Sequence, residues 1–155
     1  MKKYILSFVF LLLSGALLAQ ENLKVTFSYT GRGSSKTMLV VLTNSSDEMM
    51  IVRNDDGTGM GSLLQFAFLD SNKQEVGFLE CNFNAPYSEY KRLIKIAPHS
   101  SASFNFSLGS LRKMGKKSSQ LSTSVRVNCF IHYFTASQKN VGKPYQKSFI
   151  VSMDD

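Results

Sequence analysis

The chain has 155 residues, 18 basic and 11 acidic side chains, a formal charge of +7 and two cysteines. That length holds one ordinary domain with one core, and no internal repeat, low-complexity tract or second apolar run of membrane-spanning length divides it. The cationic excess suits an anionic surface through screened attraction, and ordinary solubility accounts for it equally well.

At the N-terminus, Lys2 and Lys3 precede an apolar run from Tyr4 to Ala19, interrupted only by Ser7, Ser14 and Gly15. A basic start, a short apolar stretch and small residues at its end are the signature of a secretory signal peptide. The run is short of the roughly 20 apolar residues a spanning helix needs, and polar Gln20, Glu21 and Asn22 follow it. Residues 1–19 are read as the signal peptide, cut after Ala19, although Leu17 stands where a small residue is preferred. No cysteine follows the cut to carry a lipid, so residues 20–155 are expected as a soluble domain of charge +5 in the periplasm or outside the cell, without stable membrane insertion. Export also argues against nucleic acid as a partner.

Alternation with period two then recurs along the chain. Leu23, Val25, Phe27 and Tyr29 share one face, as do Met38, Val40 and Leu42, then Leu64, Phe66 and Phe68, then Phe104, Phe106 and Leu108. Val125, Val127, Cys129, Ile131 and Tyr133 form a longer series, and Tyr145, Phe149, Val151 and Met153 a last one. Such alternation marks strands with one buried face, about eight or nine by this rule. Turn-rich connections lie at 31–35, 44–47, 54–61, 70–73, 97–100 and 137–143, and the one helical piece is a turn or two over 110–115. The pattern predicts an all-β, antiparallel sandwich rather than a parallel βαβ sheet, with a closed barrel as the competitor.

The stretch from Val40 to Val52, with Asn44-Ser45-Ser46-Asp47 at its middle, resembles the strand, Asn-rich turn, strand unit of bacterial immunoglobulin-like domains. Ile96 to Phe106, where Pro98 leads a turn into alternating aromatics, is similar to another segment of such domains, and the Ala-Gln signal end resembles exported proteins of the Bacteroides group. The resemblance implies an immunoglobulin-like β-sandwich over 20–155 and no particular activity.

Cys81 and Cys129 each fall on an apolar phase. In an oxidising compartment they are read either as an inter-sheet disulfide or as two buried thiols acting as small hydrophobes; a bond closing that loop would add about 4 kcal/mol by chain entropy. No Cys-x-x-Cys pair points to redox catalysis.

Candidate chemistry is sparse. His99 follows Pro98 in a turn and His132 lies opposite in phase to Cys129 and Ile131, and neither has a second histidine at ligand spacing, so no metal site is expected. Met38 and Met153 match core phases, whereas adjacent Met49 and Met50 face opposite sides of one strand. Asn54-Asp55-Asp56-Gly57-Thr58-Gly59 resembles a calcium loop only until Met60, where oxygen ligands and a bidentate glutamate fail to follow. No nucleophile elbow, phosphate loop or dinucleotide fingerprint occurs, which predicts a non-enzyme without cofactor. The remaining signal is Tyr87, Tyr90, Lys91 and Arg92 around Pro86 in a connection. Aromatic and arginine side chains are enriched where proteins bind partners, and packing over the sandwich edge is the simpler account of the tyrosines. A second basic group, Arg112, Lys113, Lys116 and Lys117, is that of a solvated turn. The sequence therefore predicts an exported binding domain whose partner is a protein, with a glycan-binding module using Tyr87 and Tyr90 as the alternative and a protease-inhibitor-like domain as a third.

Overall fold

The computed structural model describes residues 22–54, 61–83, 93–115, 117–137 and 144–154, so the signal segment 1–19 lies outside the described residues. Nine strands run in chain order: β1 (Leu23–Thr30), β2 (Thr37–Asn44), β3 (Met50–Arg53), β4 (Leu63–Leu69), β5 (Glu75–Asn82), β6 (Leu93–Ile96), β7 (Ser101–Ser107), β8 (Ser124–Thr135) and β9 (Tyr145–Ser152). One short helix, α1 (Leu108–Met114), follows β7 directly. The described chain is thus all-β, and its strand pairs are antiparallel.

The strands form two sheets, one ordered β1-β2-β7 and one ordered β5-β4-β8-β3-β6, with β9 also on β8. Alternation in the sequence becomes one-sided burial in both. From the three-stranded sheet, Leu23, Met38, Val40, Leu42, Phe104 and Phe106 enter the core; from the larger sheet come Met50, Val52, Leu64, Phe66, Phe68, Val125, Val127, Cys129 and Ile131. Each such fully buried side chain contributes about 1.5–3 kcal/mol relative to exposure. Aromatic rings bridge the layers: Phe66 and Phe106 have centroids 6.1 Å apart, Phe83 meets Phe104 edge-on at 5.4 Å, and Phe27 meets Phe149 at 4.6 Å on the opposite flank.

Two crossovers between the sheets stand side by side. The Asn-rich turn carries the chain from β2 to β3, and the Pro98 turn carries it from β6 to β7, each strand pair being split between sheets. Asn44 joins them. It is fully buried, its Nδ2 donates to the carbonyls of Glu48 (2.8 Å), Ile96 (3.1 Å) and Ala97 (3.1 Å), and its Oδ1 accepts from the Ser46 amide and hydroxyl. Its backbone N–H donates to Ser100 O, and an exposed His99–Asp47 pair at 2.7 Å spans the same two turns. His99 takes φ 52°, a left-handed conformation required by the tight turn.

Two expectations need correction. Leu108 does not extend the β7 face: Ser107 Oγ accepts from Ser110 N and caps a helix that begins at Leu108, turning Leu108 and Leu111 into the core. Gly109 allows that turn, since a Cβ there would stand 2.0 Å from the backbone oxygen of Ser34. The cysteines are both free, and they do not face each other across the layers. Cys81 on β5 is paired with Leu64 on β4, and Leu64 with Cys129 on β8, so they share one row of one sheet with a strand between them. Two strand spacings are about 9.5 Å, beyond the roughly 7 Å that a disulfide spans. Burial pushes the Cys129 thiol up to about 12 and raises that of Cys81. Both act as core-face hydrophobes.

Candidate functional site

The larger sheet contains a long hairpin whose two arms are both interrupted at the same level. β3 pairs with residues 132–135 of β8 and β4 with residues 124–130 of the same strand, so β3 and β4 run end to end along one edge of β8. β6 pairs with β3 and β5 with β4, so β5 and β6 run end to end beside them. The chain leaves the first arm between Asn54 and Gly61 and the second between Phe83 and Leu93. Tyr87, Tyr90, Lys91 and Arg92 belong to the second excursion and Asp55 to Gly59 to the first; all lie outside the described residues.

The roots of both excursions are well defined. Asn54 is fully buried and its Oδ1 accepts from the Phe83 amide at 2.9 Å, tying one root to the other. Ser62 N–H donates to Arg53 O, which draws the ends of the first excursion together. The Ser62 hydroxyl accepts from His132 N–H at 2.9 Å and donates to His132 O at 3.3 Å, supplying β8 with the partners that an unbroken strand would have offered. Phe83 anchors the second root by stacking edge-on against Phe104 and Phe106.

Around these roots the outward face of the sheet carries apolar side chains interspersed with polar ones. Reading across the strands, the registers align Phe134 with Ile51 and Lys95, then His132 with Arg53 and Leu93, then Gln146 with Phe130, Leu63 and Asn82. Leu93 is 46% exposed and Met49, just ahead of β3 in the same phase, 42%; Ile51, Leu63, Phe130 and Phe134 are half-buried. His132 stands in the middle with a buried Nδ1 that meets no hydrogen-bond partner. Burial first, and the Arg53 charge second, hold its pKa below the ordinary histidine value, so the ring is neutral at pH 7. A polar row bounds the patch, where Gln65 donates to Glu80 at 2.7 Å and Ser148 to Asn128 at 2.7 Å.

Chemically this face offers apolar side chains, two cations, Arg53 and Lys95, and a neutral imidazole. Among the described residues no group of three His, Cys, Asp or Glu is placed to hold a metal ion, and no helix is long and apolar enough to cross a membrane. The sequence reading singles out Tyr87, Tyr90, Lys91 and Arg92 and does not identify this face. The signal was present in β8, where Phe130, His132 and Phe134 occupy the phase opposite to Val127, Cys129 and Ile131.

No protein-family model matches the chain, and no curated protein sequence matches it. Among solved structures, a Northeast Structural Genomics Consortium target is similar over 84% of each chain at 10% identity with a TM-score of 0.43. A Bordetella pertussis protein assigned the name ApaA is similar over 84% of this chain and 91% of its own at 12% identity, with a TM-score of 0.44.

Proposed function

We propose that this protein is an exported, non-enzymatic, immunoglobulin-like β-sandwich that binds another protein through the outward face of its larger sheet. The observation that carries the reading is the apolar patch of Met49, Ile51, Leu63, Leu93, Phe130 and Phe134 at the roots of two excursions. Solvent-facing apolar groups gathered on one face mark interaction sites more than scattered ones do, and a rigid sheet supplies them with little ordering cost. Tyr87, Tyr90, Lys91 and Arg92, which lie in sequence between Phe83 and Leu93, are of the residue types that dominate binding energy. Residues 1–19, read as a signal peptide, support an encounter in the periplasm or outside the cell.

The test is differential capture from an envelope extract of the native host at physiological salt. Wild-type protein and an Ile150→Glu control on the far part of the same face are expected to retain the same protein, whereas Leu93→Glu combined with Phe134→Glu loses it. Equal retention by all three overturns the reading. A glycan-binding module using Tyr87 and Tyr90 is the second reading, favoured by the anchoring of their segment at Phe83. It predicts that replacing both tyrosines by alanine removes glycan retention without lowering the melting temperature.

A further inference from the structure

Charge is unevenly placed along the chain. Between Glu89 and Asp154 there is no acidic residue, and within that stretch Arg112, Lys113, Lys116 and Lys117 fall close together in sequence. The same corner carries the two most exposed large apolar side chains among the described residues. Met114, at the end of α1, is 72% exposed, and Leu121, at the end of a short 3-10 helix (Lys117–Leu121), is 74% exposed. Neither belongs to the patch on the larger sheet.

The corner is braced from beneath. Leu108 and Leu111 are buried, Gly115 N–H donates to Leu111 O at 3.1 Å, and Arg112 Nη1 donates to Ser122 O at 3.2 Å, tying the helix to the segment that follows. Ser119 is fully buried against Gly77 of β5 and against Gly115, where an added Cβ would stand 2.6 Å from its hydroxyl oxygen. The two helical turns touch there, with Met114 just before the contact in sequence and Leu121 just after it. Ser122 N–H donates to Ser119 O and Thr123 N–H to Leu69 O, which fixes the exit into β8. Lys113 is exposed next to Met114. On the adjoining β4–β5 turn the Asp70 carboxylate accepts from the Asn72 and Gln74 amides, and Lys73 adds a cation. This end of the sandwich, level with Ser124, Leu69 and Ser152, lies away from the patch. The longer undescribed segments are rooted elsewhere, at Asn54, Gly61, Phe83 and Leu93 near the middle of β8 and at Asn22, Ser137 and Pro144 toward the crossovers.

We propose that this corner docks reversibly on an anionic lipid bilayer, with Met114 and Leu121 entering the headgroup boundary and Lys113 and Arg112 held among the anionic headgroups. Charge complementarity selects the sign of the surface: the corner is cationic, and attraction to a negative leaflet is worth roughly a fivefold gain in binding for each cation near it. The apolar pair selects a bilayer over a soluble polyanion, because burying apolar side chains at the acyl boundary adds to the electrostatic attraction. Shape selects it over a protein. A stable protein interface covers about 800 Å² on each partner, whereas two apolar tips on two turns form no such face, and a fluid interface closes around them without needing a matching contour. The aliphatic stems of Lys113 and Arg112 suit the same boundary, since they lie along apolar material with the charged head in water. Docking here leaves the larger sheet's patch on a different part of the molecule, so the two surfaces act independently.

The test is co-sedimentation of the protein, purified from its host in the processed form found there, with vesicles of phosphatidylcholine alone and of phosphatidylcholine with about one third phosphatidylglycerol. Binding to the anionic vesicles is expected, at least about fivefold tighter than to the neutral ones and weakened by salt. Met114→Ser with Leu121→Ser is expected to weaken it about tenfold or more while leaving the melting temperature in place, because both side chains are exposed. Lys113→Glu is expected to weaken it by about the same factor, and Ile150→Ser, which removes an exposed apolar side chain from the larger sheet, to leave it unchanged. No binding to anionic vesicles, equal binding to neutral ones, or indifference to the serine pair overturns the proposal. Equally tight binding to soluble polyglutamate, untouched by the serine pair, would assign the cations to an acidic chain and overturn it as well.

Discussion

Replacing Asn44 by alanine tests whether the paired crossovers hold the two sheets together. Its side chain is fully buried and makes five contacts, three from Nδ2 to the carbonyls of Glu48, Ile96 and Ala97 and two to Oδ1 from Ser46. The contact to Ile96 O is buried, so truncation leaves that carbonyl unpaired at about 1–3 kcal/mol. The other four are partly open to water, which takes over their roles incompletely, at about 0.5 kcal/mol each. The total is about 3–5 kcal/mol, or a fall of roughly 12–20 °C in melting temperature for a domain of this size. Urea unfolding reads it directly, as a lower midpoint at unchanged slope. Asp47→Asn, which removes only the exposed pair with His99, is expected to cost less than about 1 kcal/mol. A loss below about 1 kcal/mol for Asn44→Ala would refute the claim that this residue ties the layers.

Gly109→Ala drives a methyl against the Ser34 backbone, which cannot swing aside as a side chain would, and is expected to cost about 1–3 kcal/mol by chemical denaturation. Thiol titration should find two free cysteines in the denatured protein with or without prior reduction, and in the folded protein Cys129 should stay unlabelled at about pH 8, because burial keeps it in the thiol form. His132 gives a pH dependence of definite sign. Its folded pKa lies below the unfolded value, so the unfolded chain binds more protons as pH falls through the ordinary histidine range; stability drops there and levels off below the folded pKa. His132→Gln should flatten that part of the stability profile, measured by denaturant midpoints at successive pH values, and an unchanged profile would assign the slope to other groups.

Much of the fold was legible because one-sided burial writes itself into alternation. Met38, Val40 and Leu42, or Val125 through Ile131, announce a strand and its inner face without any knowledge of neighbours. Which strands adjoin is not written locally. The row Cys81–Leu64–Cys129 depends on registers set across three strands, so inward phase alone suggested a bond that the sheet order forbids. Leu108 continued the alternation of Phe104 and Phe106 into what is a helix, where the Ser107 cap and the Gly109 approach decided the turn. The apolar patch was the least legible part, since Ile51, Leu63 and Leu93 come from three short strands and meet only because two arms of a hairpin are broken at one level.

The most direct test of the protein-binding account is photo-crosslinking in the native host, with a photoreactive phenylalanine analogue placed at Leu93 in one strain and at exposed Ile150 in another. The account predicts one discrete crosslinked protein from position 93, absent from position 150 and lost when Phe134→Glu is added. Crosslinks from position 150 alone, or none from position 93 with the protein folded and exported, would contradict it.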